Sequence, residues 1–345
     1  MSYEAKAEAA ISSPLFRESQ RMVVPAFESA VHSLDNTVRQ VIEYHLGWRG
    51  DNNSAPEGRP KAMRYPAILL LFGNADNGPM ERALDTAVAC GLTEIASIIH
   101  DDVIDKEEAR YGRPTVQAEF GPGTGLLCGQ ALVGLAFKIL SQQSHSNVTK
   151  ACARFGAAIQ QGYSRGLDDL TLEGANDVDL ETVLDVRMAT AAEFYGCHFV
   201  LVAMCTGLDS ERLDYVERFG KNWMMALSLA DDHLDLWPDS TSGHTVAPDL
   251  YQRKITAPIA YALNSDSNTR LRDELRQFYR STHTPEAEEL RYMANIIEQC
   301  GGKEWSHQQI LQFQERAKRN LANIRLPPAT HDELHGLLSL FAVDH

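Results

Sequence analysis

The chain has 345 residues, enough to bury a large core in one domain or two. Apolar residues make up 44% and charged residues 23%, the balance of a globular protein in water. A net charge of −15 repels nucleic acid and anionic membrane surfaces, and no basic run offers a stripe for phosphates, so nucleic-acid binding is set aside. The cysteines (Cys90, Cys128, Cys152, Cys197, Cys205, Cys300) show no CxxC spacing and lie mostly in apolar segments, as buried free thiols of a reducing cytoplasm do. The opening MSYEAKAEAAISS lacks the apolar stretch of a secretory leader. No run of about eighteen apolar residues argues for a membrane span.

Helical spacing runs through almost the whole chain. Residues near 15–46 place apolar side chains at helical intervals. The polar loop RGDNNSAPEGRPK follows. YPAILLLFG then opens an apolar helix with Pro66 in its first turn, and ADNGP is a turn. MERALDTAVACGLTEIASIIHDD is one long amphipathic helix, charged at its start and apolar towards its end. GPGT breaks the chain, and GLLCGQALVGLAFKILSQQ resumes as a helix rich in small residues. Further helices are predicted over about 147–170, 180–206, 209–236, 254–264, 268–281, 285–298, 303–324 and 331–342, with a late break at Leu326, Pro327 and Pro328. No alternating strand pattern survives. The predicted architecture is a single all-α domain spanning 1–345, with ten or more helices.

Two of these helices end in carboxylates. SIIHDDVID closes one with Asp101, Asp102 and Asp105, and LSLADDHLDL closes another with Asp231, Asp232 and Asp235. Positions i and i+4 share a helix face, so Asp101 and Asp105 point one way with Asp102 flanking, and the second set repeats the arrangement. Like charges this close raise one another's pKa and cost stability unless a cation neutralises them. Hard oxygen ligands suit Mg²⁺, which commonly bridges carboxylates to substrate phosphates. One DDxxD alone is as often a solvated acidic face. Two copies, each after an apolar run and each followed by basic residues, favour a facing pair that grips a diphosphate through Mg²⁺. His100–Asp101 also reads as the HD pair of a metal-dependent phosphohydrolase, a reading that leaves the second cluster unexplained.

The segments HDDVID, GRPTV and GQALVGLAF, then LADDHLDL and PDLYQRKITAPIAYAL, resemble the trans-isoprenyl diphosphate synthase (polyprenyl synthetase) family over about 60–265. Residues 266–345 fit only as generic helices of the same domain. The resemblance implies a helical barrel around a deep apolar cavity, a homodimer, and a cytoplasmic enzyme of isoprenoid biosynthesis. It implies that Asp101, Asp102, Asp105, Asp231, Asp232 and Asp235 bind Mg²⁺, three ions per active site, carrying an allylic diphosphate. It places Arg110 and Lys254 at positions that contact the diphosphate.

Departures from the family concern the basic pocket for isopentenyl diphosphate, the second substrate. Aligned on Pro66, the family's Lys and second Arg become Ala62 and Tyr65, with Lys61 and Arg64 one place off and Arg59 nearby. A His seven places before the first motif becomes Glu94, and the second Arg after that motif becomes Tyr111. A later Lys-Thr reads Ala189-Thr190, with Arg187 upstream; the Gln before the second motif is Ser228, and a Gly-Lys after it is Gly243-His244. Positive charge is stripped from one pocket while both acidic motifs stay whole. Tyr65 and Tyr111 are candidates to line what replaces it, since aromatic faces stabilise cations. In the family, bulky residues four and five places before the first motif close the cavity floor; the resemblance therefore implies, from small Ser97 and Ala96 there and Thr93 and Cys90 one turn earlier, a deep cavity and a chain of about fifteen to twenty carbons or longer.

The expectation from sequence is a Mg²⁺-dependent class I enzyme that ionises an allylic prenyl diphosphate and captures the cation without isopentenyl diphosphate, as a terpene cyclase or a prenyltransferase with another acceptor. The alternatives are an ordinary trans-prenyl diphosphate synthase, with Lys61, Arg64 and Arg59 rebuilding the basic site, and a non-catalytic partner subunit of such a synthase.

Overall fold

The computed structural model describes residues 13–48, 63–110, 112–145, 147–172, 178–238 and 247–339. Lys61, Arg59, Ala62, Tyr111 and Gly243–His244 lie outside the described residues. The helical reading holds, with local corrections. The helix expected near 15–46 is two, α1 (Pro14–His32) and α2 (Asn36–His45). Ser13 caps the first by accepting from the Phe16 amide at 3.0 Å, and Asp35 caps the second through the Thr37 amide. α3 (Arg64–Leu70) tightens into a 3₁₀ turn over Leu71–Asn74. The first acidic motif ends α4 (Glu81–Ile104), and a two-residue hairpin of β1 (Ala109–Arg110) and β2 (Arg113–Pro114) follows it. Then come α5 (Val116–Phe120), α6 (Pro122–Ser141), α7 (Val148–Leu172) and α8 (Leu180–Arg187).

The continuous helix expected over 180–206 is interrupted. A π-helical stretch, Met188–Glu193, separates α8 from α9 (Phe194–Met204). Such insertions shift the helical register and are frequent at functional sites. α10 (Ser210–Leu236), capped by Asp209, ends in the second motif. The rest is α11 (Pro248–Tyr251), α12 (Ala257–Asn264), α13 (Thr269–Arg280), α14 (Ala287–Gln299), α15 (Gly302–Ile324) and α16 (Pro328–Ser339). The late break falls where Arg325 takes a left-handed φ of 57° and Pro328 opens α16, a position proline tolerates.

Two apolar cores meet along α10. Its first half packs Val216, Phe219 and Trp223 with Phe72 and Phe199; its second half sets Met225, Leu229 and Leu236 against α12 to α15. α4 is buried on nearly every side of its middle, between α1, α3, α6 and α9. α6 runs along it as a 20-residue, largely apolar helix interrupted by polar Thr124, Gln130 and Lys138. Only 39% of its apolar stretch is buried inside the chain.

α4 and α6 approach closely because Gly129 faces His100. A Cβ built on Gly129 would lie 2.1 Å from the His100 Nε2. His100 also bonds the Leu126 carbonyl and the Tyr163 hydroxyl, so it serves packing and the HD reading falls. We expect Gly129→Ala to destabilise the fold by about 1–3 kcal/mol through overpacking, read as a lowered midpoint in thermal or urea denaturation.

Candidate active site

Each acidic motif is built the same way, with a buried middle aspartate held by an arginine. Asp102 is 0% exposed, and its Oδ1 accepts from Arg110 Nε at 2.8 Å and Nη2 at 2.7 Å. The hairpin after α4 carries Arg110 back to that position. Asp232 is likewise buried; its Oδ1 accepts from Arg187 Nη2 at 3.0 Å and its Oδ2 from the Ala257 amide at 3.3 Å. A charge-assisted bond of this kind fixes the aspartate's rotamer and with it the end of the helix. Asp235 Oδ2 accepts from the Asp249 amide at 3.0 Å.

The first aspartate of each motif stays open. Asp101 and Asp231 both reach solvent at their tips while dense protein surrounds them. Burial pushes Asp101 up to about 6, with Asp105 adding to the rise. It pushes Asp231 up to about 7, with Asp232 adding to it.

Lys254 joins the two motifs. Its ammonium lies 2.8 Å from Asp105 Oδ2. The same charge opposes the rise of Asp101 in the first motif and of Asp232 and Asp249 on the second side. Gln252 Nε2 adds a second link, donating to Glu107 Oε1 at 2.9 Å. The turn that presents Lys254 is strained: Ala247 and Arg253, neither a glycine, take left-handed φ values of 47° and 57°. α13 anchors it. The Tyr279 hydroxyl donates to the Lys254 carbonyl at 2.9 Å, and the Arg253 guanidinium lies 4.2 Å from the Phe278 ring centroid while donating to the Phe278 and His283 carbonyls.

Behind the mouth, solvent reaches half-buried residues on one face of otherwise buried helices, a partly open hollow. On α4 the stripe is Glu94 and Ser97, ending at the exposed Asp101; on α10 it is Leu227 and Ser228, ending at the exposed Asp231. Thr190 of the π stretch is half-buried too, with its hydroxyl donating to the Val186 carbonyl at 2.9 Å. Ser97 Oγ lies 2.6 Å from the Tyr195 hydroxyl. Tyr65 bonds His198 Nδ1 at 2.8 Å. Arg64 opens α3, half-buried. Ala96, Thr93 and Cys90 are not at this wall; they pack into the core at 0–1% exposure. The open shaft expected from four small residues is therefore reduced to Ser97, and Tyr195 closes on that.

Sequence reasoning undervalued two residues. Arg187 was noted only as a neighbour of a missing lysine, yet it clamps Asp232. Asp249, unremarked within PDLYQRK, stands beside Asp235, and burial together with that neighbour pushes its carboxyl up. Its spacing ahead of Lys254 was the only available signal.

Among the described residues no three metal-ligating side chains already converge on one point. The donor set suits Mg²⁺ all the same. Asp101, Asp105, Asp231 and Asp235 are hard oxygen donors from two helix ends brought together at Lys254, and the raised Asp101 and Asp231 record carboxylates short of positive charge.

The polyprenyl synthetase family model matches residues 52–297. The chain belongs to the polyprenyl synthetase family. It is therefore an enzyme of prenyl transfer with the all-α fold of that family. A (2E,6E)-farnesyl diphosphate synthase of Mycobacterium tuberculosis is 28% identical over 338 residues, covering 94% of this chain and 91% of its own. A geranylgeranyl diphosphate synthase of the same organism is 28% identical, covering 81% of this chain and 79% of its own. The crystal structure of a polyprenyl synthetase from Streptomyces coelicolor A3(2) superposes with a TM-score of 0.85 at 26% identity, covering 95% of this chain and 99% of that one.

The crowded carboxylates set a pH signature for the metal-free protein. Folded Asp231 keeps its proton up to about pH 7, whereas an unfolded aspartate loses it near ~3.9. Between those values the folded chain binds more protons, so stability falls as pH rises. We expect the metal-free melting temperature to drop from about pH 5 to about pH 8, and Asp231→Asn to flatten that drop. Calorimetric scans in chelator across that range would check it.

Proposed function

We propose that the protein is a Mg²⁺-dependent prenyltransferase that ionises an allylic prenyl diphosphate at the mouth between Asp101 and Asp231. The observation that carries this reading is the Lys254 ammonium, set among carboxylates of both motifs above a partly open hollow. Asp101 and Asp105 on one side, with Asp231 and Asp235 on the other, would hold the metal. When bound, Mg²⁺ supplies the charge that stabilises a departing diphosphate. Arg110 and Arg187 fix Asp102 and Asp232, so the open carboxylates keep their positions. Lys254 is placed to donate to a diphosphate oxygen as the C–O bond breaks. Tyr195 and Leu227, on this face, would help keep water from the allylic cation. Because Tyr195 closes on Ser97, the supported chain is the shorter part of the expected range, about fifteen to twenty carbons.

Relatives named as farnesyl and geranylgeranyl diphosphate synthases support isopentenyl diphosphate as the acceptor, giving a longer diphosphate. They favour this ordinary elongation over the cyclase or alternative-acceptor expectation from sequence. One observation favours a second reading, capture of the cation by another nucleophile. Glu94 stands at the hollow with a buried Oε2 that has no hydrogen-bond partner among the described residues. Incubation with geranyl, farnesyl and geranylgeranyl diphosphates and Mg²⁺, with and without isopentenyl diphosphate, separates the two. Elongated diphosphate only in its presence supports the first; neutral product without it supports the second. No turnover in any mixture defeats both. Asp101→Ala and Asp231→Ala should each lower turnover by ~10²–10³-fold.

A homodimer and a cytoplasmic location complete the proposal. The six cysteines are free thiols, as a reducing compartment keeps them. Leu126 and Leu127 of α6 and Leu167 of α7 are 46%, 73% and 66% exposed, an apolar strip that a second copy would cover. We expect Leu127→Glu combined with Leu167→Glu to shift the mass measured by light scattering from dimer towards monomer.

A further inference from the structure

Glu94 is a half-buried carboxylate behind the mouth, on the Asp101 face of α4. Seven residues of helix separate the two, about 10 Å at 1.5 Å per residue. A molecule reaching the mouth from inside the hollow therefore passes it. Its surroundings are polar and uncharged. Tyr65 of α3 and Tyr195 of α9 are the neighbours that feel its charge. His198 is held neutral by burial, pushed down to about 3, and its two nitrogens face the Tyr65 and Thr93 hydroxyls. Burial alone pushes Glu94 up to about 8, so no neighbouring cation offsets it. Among the described residues, Arg110, Arg187 and Lys254 are engaged with the aspartates at the mouth. Beside these two tyrosines the Glu94 Oε2 has no hydrogen-bond partner among the described residues.

A buried polar atom left unpaired costs free energy that a ligand group can recover. A carboxyl group can donate when protonated and accept when ionised, and it matches a hydroxyl in either state. It does not match a diphosphate, which needs cations, and among the described residues no cation is paired with Glu94. We propose that Glu94 is a specificity-determining residue, which makes the wall beside the mouth a subsite for a neutral, hydroxyl-bearing acceptor and an unfavourable one for a second diphosphate. This rests on the ionisation reading above and gives its second form a substrate class. Transfer then breaks the allylic C–O bond, with its electron pair leaving on diphosphate. The acceptor's oxygen lone pair forms the new C–O bond, and the hydroxyl proton passes to Glu94 or, when that is already protonated, to the departing diphosphate.

The test is a binding measurement, so it stands apart from turnover. With the allylic site filled by unreactive farnesyl thiodiphosphate and Mg²⁺, calorimetry titrates isopentenol and isopentenyl diphosphate, the same skeleton without and with the charge. Wild type should bind isopentenol, and Glu94→Leu should weaken it by about tenfold. Isopentenyl diphosphate should bind wild type more weakly at about pH 9 than at about pH 7, and Glu94→Gln should abolish that pH dependence. Retained melting temperatures show that the variants fold, and unchanged affinity for the thiodiphosphate shows that the mouth is intact. Isopentenol that fails to bind, or binds Glu94→Leu equally, overturns the proposal. So does isopentenyl diphosphate binding that both variants leave untouched, which returns the pocket to the elongation reading. Absence of turnover with every allylic diphosphate sinks the ionisation reading instead, whatever the calorimetry shows.

Discussion

Lys254 holds together two sets of carboxylates that would otherwise repel each other. Its ion pair with Asp105 and its influence on Asp101, Asp232 and Asp249 make one electrostatic unit of two helix ends far apart in sequence. The chain invests local strain in presenting that ammonium. Two non-glycine residues take left-handed backbone, and α13 fastens the turn by a tyrosine hydroxyl and a cation–π contact. Such strain persists only where surrounding contacts over-determine it.

The motifs divide labour among their aspartates. Burial and an arginine turn Asp102 and Asp232 into structural fixtures. The same burial, without a dedicated cation, leaves Asp101 and Asp231 poorly neutralised and open to solvent. A bound cation would recover what this crowding costs, so the stability of the empty site and its affinity for metal are two sides of one quantity. The π stretch serves the same end, because it begins directly after Arg187, where the side chain must reach Asp232.

Much of this was legible in the sequence. Helical periodicity and both DDxxD motifs are local signals, and the structure keeps them. The split of the first helix was not read from the sequence, because apolar residues keep helical spacing on both sides of Asp35. The π stretch was not legible, since Met188–Glu193 has the composition of ordinary helix and only packing on α10 and α7 shifts its register. Ala96 and Ser97 are adjacent in sequence yet face core and hollow respectively, a difference set by which helices pack against α4.

The sequence by itself determined the helices, the acidic ends of α4 and α10, and the family, because each depends on residues close together along the chain. It also marked Glu94 as a departure in charge. Only the tertiary structure decided which carboxylates are clamped and which are open, that Arg187 and Asp249 belong to the site, and that Tyr195 narrows the hollow. Those facts depend on distances between helices, and a side chain's charge says nothing of its partner until packing brings the two within hydrogen-bond reach.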